Sequence, residues 1–245
     1  MKLTTNTLAL PGGRVANLAL GAGLFALVTL TLTPQAAHAQ DLSLDNFATG
    51  AGKIEAKTGT HQATQNGHGI VVGARTIVLT ISSQTNSGNE FDQPIEVAVE
   101  PSKNTSVPSA FLWTVGYGAL PRIDLIYGNS APLALNLTPY DRLRVTFAGL
   151  TNALNFNIVA WQSNGVAGSA GCNLSPFSGV FTVDFALSAF VLNGGGPVDW
   201  SNIETLDIVF QAASLLGSPN LAITGFSAIP ASDPPGSIPC GTSPQ

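Results

Sequence analysis

The scarcest feature of this 245-residue sequence is charge. Lys and Arg together number 9 and Asp and Glu 14, so that charged residues make up 9% of the chain, where a soluble domain usually carries about 25%. With a formal net charge of −5, the chain lacks the basic surface that attracts phosphates. Long exposed helices are also disfavoured, because Glu, Lys and Arg normally solubilise them. The composition therefore predicts neither a nucleic-acid partner nor a mainly helical fold.

Long apolar runs are missing except near the N-terminus. There, two basic residues precede an uncharged stretch at 18–32, and the small-x-small sequence Ala37-His38-Ala39 follows. This pattern is typical of a secretory signal peptide cleaved after Ala39. The alternative is a membrane anchor, but the run is shorter than the roughly 20 residues that span a bilayer. We expect residues 1–39 to be a helical signal peptide, and the mature chain to be secreted or periplasmic, with no transmembrane span.

Cysteine is limited to Cys172 and Cys240. In an exported chain an even number of cysteines favours a disulfide over free thiols. The sequence contains no Cys-x-x-Cys pair that would indicate a redox or metal site. We therefore expect a structural disulfide between Cys172 and Cys240, which would stabilise the fold by roughly 4 kcal/mol in the chain-entropy treatment.

Short runs of alternating apolar and polar residues recur between clusters of Gly, Pro, Asn and Ser, as in the strands of a β-sandwich. The runs cover residues 75–82, 95–100, 111–117, 122–127, 142–147, 154–162, 180–187, 205–210 and 221–229. Five of the sixteen residues from 230 to 245 are Pro, which excludes a central strand there. We expect an all-β, antiparallel two-sheet sandwich over 40–229 and a Pro-rich tail over 230–245.

Three segments carry a resemblance to a known class of domain. They are LDNF at 44–47 with TG at 49–50, LTPYDRLRV at 137–145, and VDFALSAF at 183–190 followed by DWSNIE at 199–204. Together they resemble the galactose-binding-like jelly rolls of exported bacterial proteins, close in style to carbohydrate-binding modules. The resemblance implies a sandwich of eight or more strands, with ligand sites on the concave sheet or in the edge loops. It leaves function open among sugar binding, adhesion and structural roles.

The same resemblance raises the question of a structural Ca²⁺. Such domains often hold one through an acid near the first strand and another on the last strand, because a hard cation needs several oxygen ligands. Asp45 fits the first position, but Thr224 stands where the second acid is expected. Asp45 is therefore either a calcium ligand or a residue that caps a turn, and no other cofactor is implied.

Period-2 alternation also predicts which side chains point away from the core. We expect burial of Phe147, Ile158, Phe181, Val183 and Phe185. Seven residues then point outward: Trp161, Asn157, Arg142, Arg144, Asp184, Arg122 and Asp124. If their strands form one sheet, these residues make a polar-aromatic patch that binds sugar by ring stacking and hydrogen bonding. The alternative is an ordinary solvated face with Arg–Asp pairs.

Catalytic residues are few. After the signal peptide the histidines are His61 and His68, and neither follows Ser169 in the order that a Ser-Asp-His hydrolase requires. Paired carboxylates for glycoside hydrolysis remain a lesser alternative, among Glu96, Glu100, Asp184 and Glu204. We expect a non-catalytic exported domain that binds carbohydrate or a cell-envelope polymer. The main alternative is a structural or matrix protein that engages protein partners through an apolar strip.

Overall fold

A computed structural model describes residues 39–84, 95–100, 109–115, 119–213 and 219–240. The expected signal peptide, residues 1–39, lies outside the described residues apart from Ala39.

Fifteen strands occur in the described part of the chain, together with two single turns of 3-10 helix at Val71–Gly73 and Leu187–Ala189. The strands are β1 (Leu42–Asp45), β2 (Gly52–Ala56), β3 (Gly59–Asn66), β4 (Ala74–Gln84), β5 (Ile95–Glu100), β6 (Ala110–Thr114), β7 (Ala119–Tyr127), β8 (Arg142–Leu150), β9 (Leu154–Gln162), β10 (Ala167–Leu174), β11 (Phe177–Ala186), β12 (Val191–Leu192), β13 (Ile203–Ala212), β14 (Leu221–Ile229) and β15 (Ile238–Cys240).

The strands form two sheets. The eight-stranded sheet has the order β15-β11-β8-β14-β6-β5-β2, with β1 also pairing with β14, and the seven-stranded sheet has the order β12-β10-β9-β13-β7-β4-β3. Among the described strands every pairing is antiparallel except that of β11 with β15. The predicted all-β, two-sheet jelly roll is confirmed.

The core lies between the sheets and is rich in phenylalanine. Phe147 of β8 meets Phe156 of β9 edge to face across the two sheets, with ring centroids 5.6 Å apart. Phe156 in turn stacks on Phe210 of the neighbouring strand at 5.0 Å. Such pairs add to the stabilisation that comes from burial alone. The expected burial is confirmed, since all five predicted core residues are at most 1% exposed: Phe147, Ile158, Phe181, Val183 and Phe185.

The predicted disulfide is confirmed and joins the two sheets. Cys172 lies on β10 of the seven-stranded sheet and Cys240 on β15 of the eight-stranded sheet, with their Cα atoms 5.5 Å apart. The Pro-rich tail is thereby tied to the sandwich, and its residues Ile238–Cys240 add a parallel edge strand to β11. An edge is the place in a sheet where a proline such as Pro239 is tolerated.

Candidate functional site

The seven residues predicted to form one patch lie on two different sheets. Those on the eight-stranded sheet are Arg142, Arg144 and Asp184, and those on the seven-stranded sheet are Arg122, Asp124, Asn157 and Trp161. The expectation of a single face is therefore wrong. Alternation shows which side chains point away from a core, but it does not show which strands belong to the same sheet.

The eight-stranded subset is covered by the C-terminal tail. Arg144 and Arg142 lie 2.7 and 3.1 Å from the two carboxylate oxygens of Asp184. Arg144 also donates to the carbonyl of Pro234 at 2.8 Å, and the Gly236 N–H donates to Asp184. Arg142 and Asp184 are buried. These residues hold the tail in place and form no open ligand site.

The carboxylate of Asp45 lies in a buried ion pair with Arg75. Its Oδ2 lies 2.6 Å from Nη1 of Arg75 and accepts from the Tyr127 hydroxyl at 2.9 Å. Its Oδ1 accepts from the Phe47 N–H at 2.8 Å. The Arg75 guanidinium supplies a positive charge beside Asp45, and the contact with the Phe47 N–H is that of an acid that caps a turn, whereas calcium at Asp45 stays a prediction. Among the described residues no group of three or more His, Cys, Asp or Glu side chains is arranged to hold a metal.

The seven-stranded subset belongs to a continuous outer surface, which we call the β9 face. It consists of Asn155, Asn157, Val159 and Trp161 on β9, Thr205, Asp207, Val209 and Gln211 on β13, Ser169, Gly171 and Asn173 on β10, and Arg122 and Asp124 on β7. Strand pairing sets these residues side by side, because Asn157 is opposite Gly171 on one flank and Val209 on the other. Residues directly opposite in adjacent strands have Cβ atoms about 5 Å apart.

A groove of about 820 Å³ runs over this face. Its floor carries four planar amide side chains, and Arg122 lies at one end. The amides are Asn155, Asn157, Asn173 and Gln211. The segment at 189–193, which leads into and out of β12, forms the opposite wall. The volume falls in the range of about 300 to 1,000 Å³ that is usual for small-molecule sites.

Gly171 leaves room for the amide of Asn157. A Cβ atom at position 171 would lie 3.1 Å from Oδ1 of Asn157 and 3.1 Å from the carbonyl oxygen of Phe156. Contacts this short require the neighbouring atoms to shift. The glycine therefore leaves space for the Asn157 amide at the groove.

Trp161 stands at the end of the β9 face with its ring accessible. The residue is 41% exposed, and its cross-strand neighbours are the small residues Ala167 and Thr205. It follows the groove residue Val159 by two positions, or about 7 Å along the strand. An exposed indole in this place provides an apolar surface on which a flat ligand can stack.

Arg122 and Asp124 form a close pair within the face. Nε of Arg122 donates to the Asp124 carboxylate at 2.9 Å, and this hydrogen bond raises the pKa of Arg122. Asp124 is buried, whereas the Arg122 side chain is 49% exposed. The pair holds the guanidinium where it offers hydrogen-bond donors to the groove.

Asp207 is a residue of this face that the sequence interpretation missed, as are the amides of Asn155, Asn173 and Gln211. It lies between Ile126 of β7 and Val159 of β9. Its Oδ1 is buried and has no hydrogen-bond partner in the described part of the chain. Burial, reinforced by the negative charge of Asp124, raises the pKa of Asp207 to about 7, against the opposing effect of Arg122. Alternation in the run at 205–210 would have turned Asp207 outward, but its partners follow only from the strand order.

The carboxylates considered for glycoside hydrolysis are not brought together. Glu96 and Glu100 lie on β5, Asp184 is held by two arginines on β11, and Glu204 lies on β13 in the other sheet. His61 and His68 are both exposed, as expected for surface histidines. Within the described residues, no helix has both the length and the apolar character needed to cross a bilayer.

No protein-family profile matches the chain, and no curated protein matches its sequence. Similar folds occur among solved structures. The family 11 carbohydrate-binding module of a cellulosomal cellulase from Clostridium thermocellum is 15% identical with a TM-score of 0.42, and the match covers 78% of this chain and 95% of the module. The family 11 module from the same organism in complex with a β-1,3-1,4-mixed-linked tetrasaccharide is 14% identical with a TM-score of 0.38, covering 75% of this chain and 98% of that one. An agarase is 10% identical with a TM-score of 0.38, covering 77% of this chain and 26% of the enzyme.

Proposed function

We propose that this chain is an exported, non-catalytic domain that binds a neutral carbohydrate polymer along the β9 face. The observation that carries the proposal is the groove floor of planar amides that leads to an exposed Trp161. Each amide offers both donors and acceptors, which suits the hydroxyl groups of a sugar. The indole supplies the apolar surface on which a sugar ring stacks.

The length of the face suits an extended polymer better than a single sugar. From Asn155 to Trp161 the six residue steps of β9 span about 20 Å. The groove is open, and all four amides are reached from the same side. A chain of several sugar units lying along β9 therefore contacts the amides and the indole at once.

Charge supports a neutral ligand. Asp124 and Asp207 both belong to the β9 face, where Arg122 is the single cation among its defining residues. The whole chain carries a formal charge of −5. An anionic polymer would find no free positive charge on this face, since Arg122 is hydrogen-bonded to Asp124, and it would meet the net negative charge of the chain.

A binding role without catalysis is supported by the composition of the groove. Among the described residues that line it there is no Asp or Glu, whereas glycoside hydrolysis ordinarily uses two carboxyl groups on either side of the bond that is cleaved. Export is supported by the signal-like N-terminus and by the disulfide, which persists in oxidising compartments.

The test is a binding measurement with three neutral polysaccharides (β-1,3-1,4-mixed-linked glucan, agarose and galactomannan) and one anionic polysaccharide, alginate. We expect at least one neutral polymer to bind and alginate not to bind. Trp161→Ala should weaken binding by 10-fold or more, the loss typical of an aromatic residue that dominates an interface.

Phe177→Ala provides the matched control. Phe177 is an aromatic residue of similar exposure, 47%, on β11 of the other sheet. This variant should bind as the wild type does. Equal loss in both variants, or no loss in Trp161→Ala, would contradict the proposed site, and hydrolysis of any of the polymers would contradict a purely binding role.

A further inference from the structure

Asp207 occupies an unusual position in the β9 face. It borders the groove, since its cross-strand partner Val159 is one of the lining residues, and it precedes Val209 of the groove floor by two positions. On β9 the next outward residue after Val159 is Trp161. A polymer that touches both the amides and the indole must therefore pass beside Asp207.

The carboxyl group of Asp207 is poorly compensated by the protein. Its Oδ1 is buried without a hydrogen-bond partner among the described residues, so a negative charge on that oxygen is stabilised neither by water nor by a donor. A neutral carbonyl oxygen in the same place costs much less. The local structure thus favours the protonated acid, with the proton on Oδ2, because a proton on the buried Oδ1 would have no acceptor.

On balance, the charged groups around Asp207 also favour its protonated form. On β7 they are Asp124, which opposes ionisation, and Arg122, which favours it but is already hydrogen-bonded to Asp124. The β9 residues that face it carry no charge: Asn157, Val159 and Trp161. On its own strand the other acid is Glu204, at the irregular stretch between Ile203 and Thr205.

We propose that Asp207 is a ligand-binding residue of the β9 face, and that it meets a neutral glycan as a carboxylic acid rather than as a carboxylate. The proposal rests on the proposed function. In the acid form the Oδ2 hydroxyl donates a hydrogen bond to a sugar oxygen. In the carboxylate form a covering glycan removes the remaining water from a charge whose other oxygen is already unpaired, which weakens binding.

The proposal predicts a specific pH dependence. We take the glycan to bind only the acid form and the free carboxyl of Asp207 to titrate near 7. The apparent affinity is then proportional to the fraction of protein in which Asp207 is protonated. Binding should then be about tenfold weaker at pH 8 than at pH 6. A face that binds through the carboxylate would show the opposite trend.

The experiment measures dissociation constants at pH 6 and pH 8 by isothermal titration calorimetry, with a β-1,3-1,4-mixed-linked tetrasaccharide and with an agarose tetrasaccharide as probes. For the probe that binds, the wild type should lose about tenfold affinity between pH 6 and 8. Asp207→Asn keeps the shape and a donor but does not titrate, so it should bind about equally at both pH values, near the wild-type affinity at pH 6. Asp199→Asn, which changes an exposed acid outside the face, should keep the wild-type pH dependence.

A second readout does not involve ligand. Because the folded-state pKa of Asp207 is raised, its contribution to stability is present below the unfolded value and is lost as pH rises through about 7. Asp207→Asn should therefore unfold at a higher temperature than the wild type at pH 8 and at nearly the same temperature at pH 4.

The outcomes separate the two proposals. If neither tetrasaccharide binds at either pH, the proposed function fails and this inference fails with it. If a probe binds with equal affinity at pH 6 and pH 8, or if folded Asp207→Asn loses binding at both, the role of Asp207 is wrong while the proposed function stands.

Discussion

At the scale of single residues, two acids with buried carboxylate oxygens differ in how those oxygens are paired. Asp45 receives an arginine, a tyrosine hydroxyl and a backbone N–H, so all of its buried oxygens are paired. Asp207 has a buried oxygen with no partner among the described residues. A buried carboxylate whose oxygens are all paired has a structural role, whereas carboxyl groups with unpaired buried oxygens and shifted pKa values cluster at functional sites.

Removal of Arg75 should strongly destabilise the fold without affecting the β9 face. Arg75→Met leaves the Asp45 carboxylate buried without its counter-ion, and we expect a loss of about 3 to 5 kcal/mol in the free energy of unfolding, measured by chemical denaturation. Lys53→Met is the control, since Lys53 forms exposed ion pairs with Glu55 and Glu96 and such pairs contribute about 0 to 1 kcal/mol. Similar losses in both variants would show that the buried Asp45–Arg75 pair contributes no more to the free energy of unfolding than an exposed ion pair.

At the scale of strands, the sequence allowed the faces to be predicted but not the pairing. The inward residues of β8, β9 and β11 follow from alternation within each run, and they are buried as expected. Arg122 of β7 and Gln211 of β13 become neighbours although they lie far apart in the chain, and no local pattern indicates such a contact. The two sheets could therefore not be told apart, and residues of both were assigned to one patch.

Two groups of polar residues that alternation turned outward are held by distant segments of the chain. Arg75, which forms the ion pair with Asp45, lies on β4 and reaches β1 only through the fold. The C-terminal tail, which covers Arg142 and Asp184, reaches them through β15 and the hydrogen bonds of residues 233–236. Polar residues that alternation places on an outer face are thus hydrogen-bonded or ion-paired to segments that are distant in the sequence.

The strand β10 should tolerate little change where it faces the groove. Gly171→Ala requires the Asn157 amide to shift by a few tenths of an ångström, and we expect binding of the neutral polymer to weaken by about 3- to 10-fold, with a stability loss below about 1.5 kcal/mol. The matched control is Gly149→Ala on β8, where an added Cβ meets nothing within 4 Å. Calorimetric titration of both variants distinguishes them, and unchanged affinity in Gly171→Ala would exclude Asn157 from the site.

At the scale of the whole molecule, the two outer faces differ in what covers them. The tail and its disulfide close part of the eight-stranded sheet over Arg142, Arg144 and Asp184. The seven-stranded sheet leaves its amides, Arg122 and Trp161 beside an open groove. The core phenylalanines pack the two sheets against each other, so the open face lies on a closely packed sheet. A preformed site of this kind loses little entropy when it binds an extended ligand.

The most direct test of the central claim, that the β9 face binds neutral carbohydrate, is a heteronuclear NMR titration of ¹⁵N-labelled protein with a β-1,3-1,4-mixed-linked tetrasaccharide and, separately, an agarose tetrasaccharide. The account predicts that the indole N–H of Trp161 and the side-chain amides of the groove floor shift together as one probe is added. Those amides belong to Asn155, Asn157, Asn173 and Gln211. The indole N–H of Trp200 should not shift, because it lies outside the face and donates a hydrogen bond of 3.2 Å to the carbonyl of Leu187. Saturable shifts confined to other surfaces, or no shifts with either tetrasaccharide, would contradict the account.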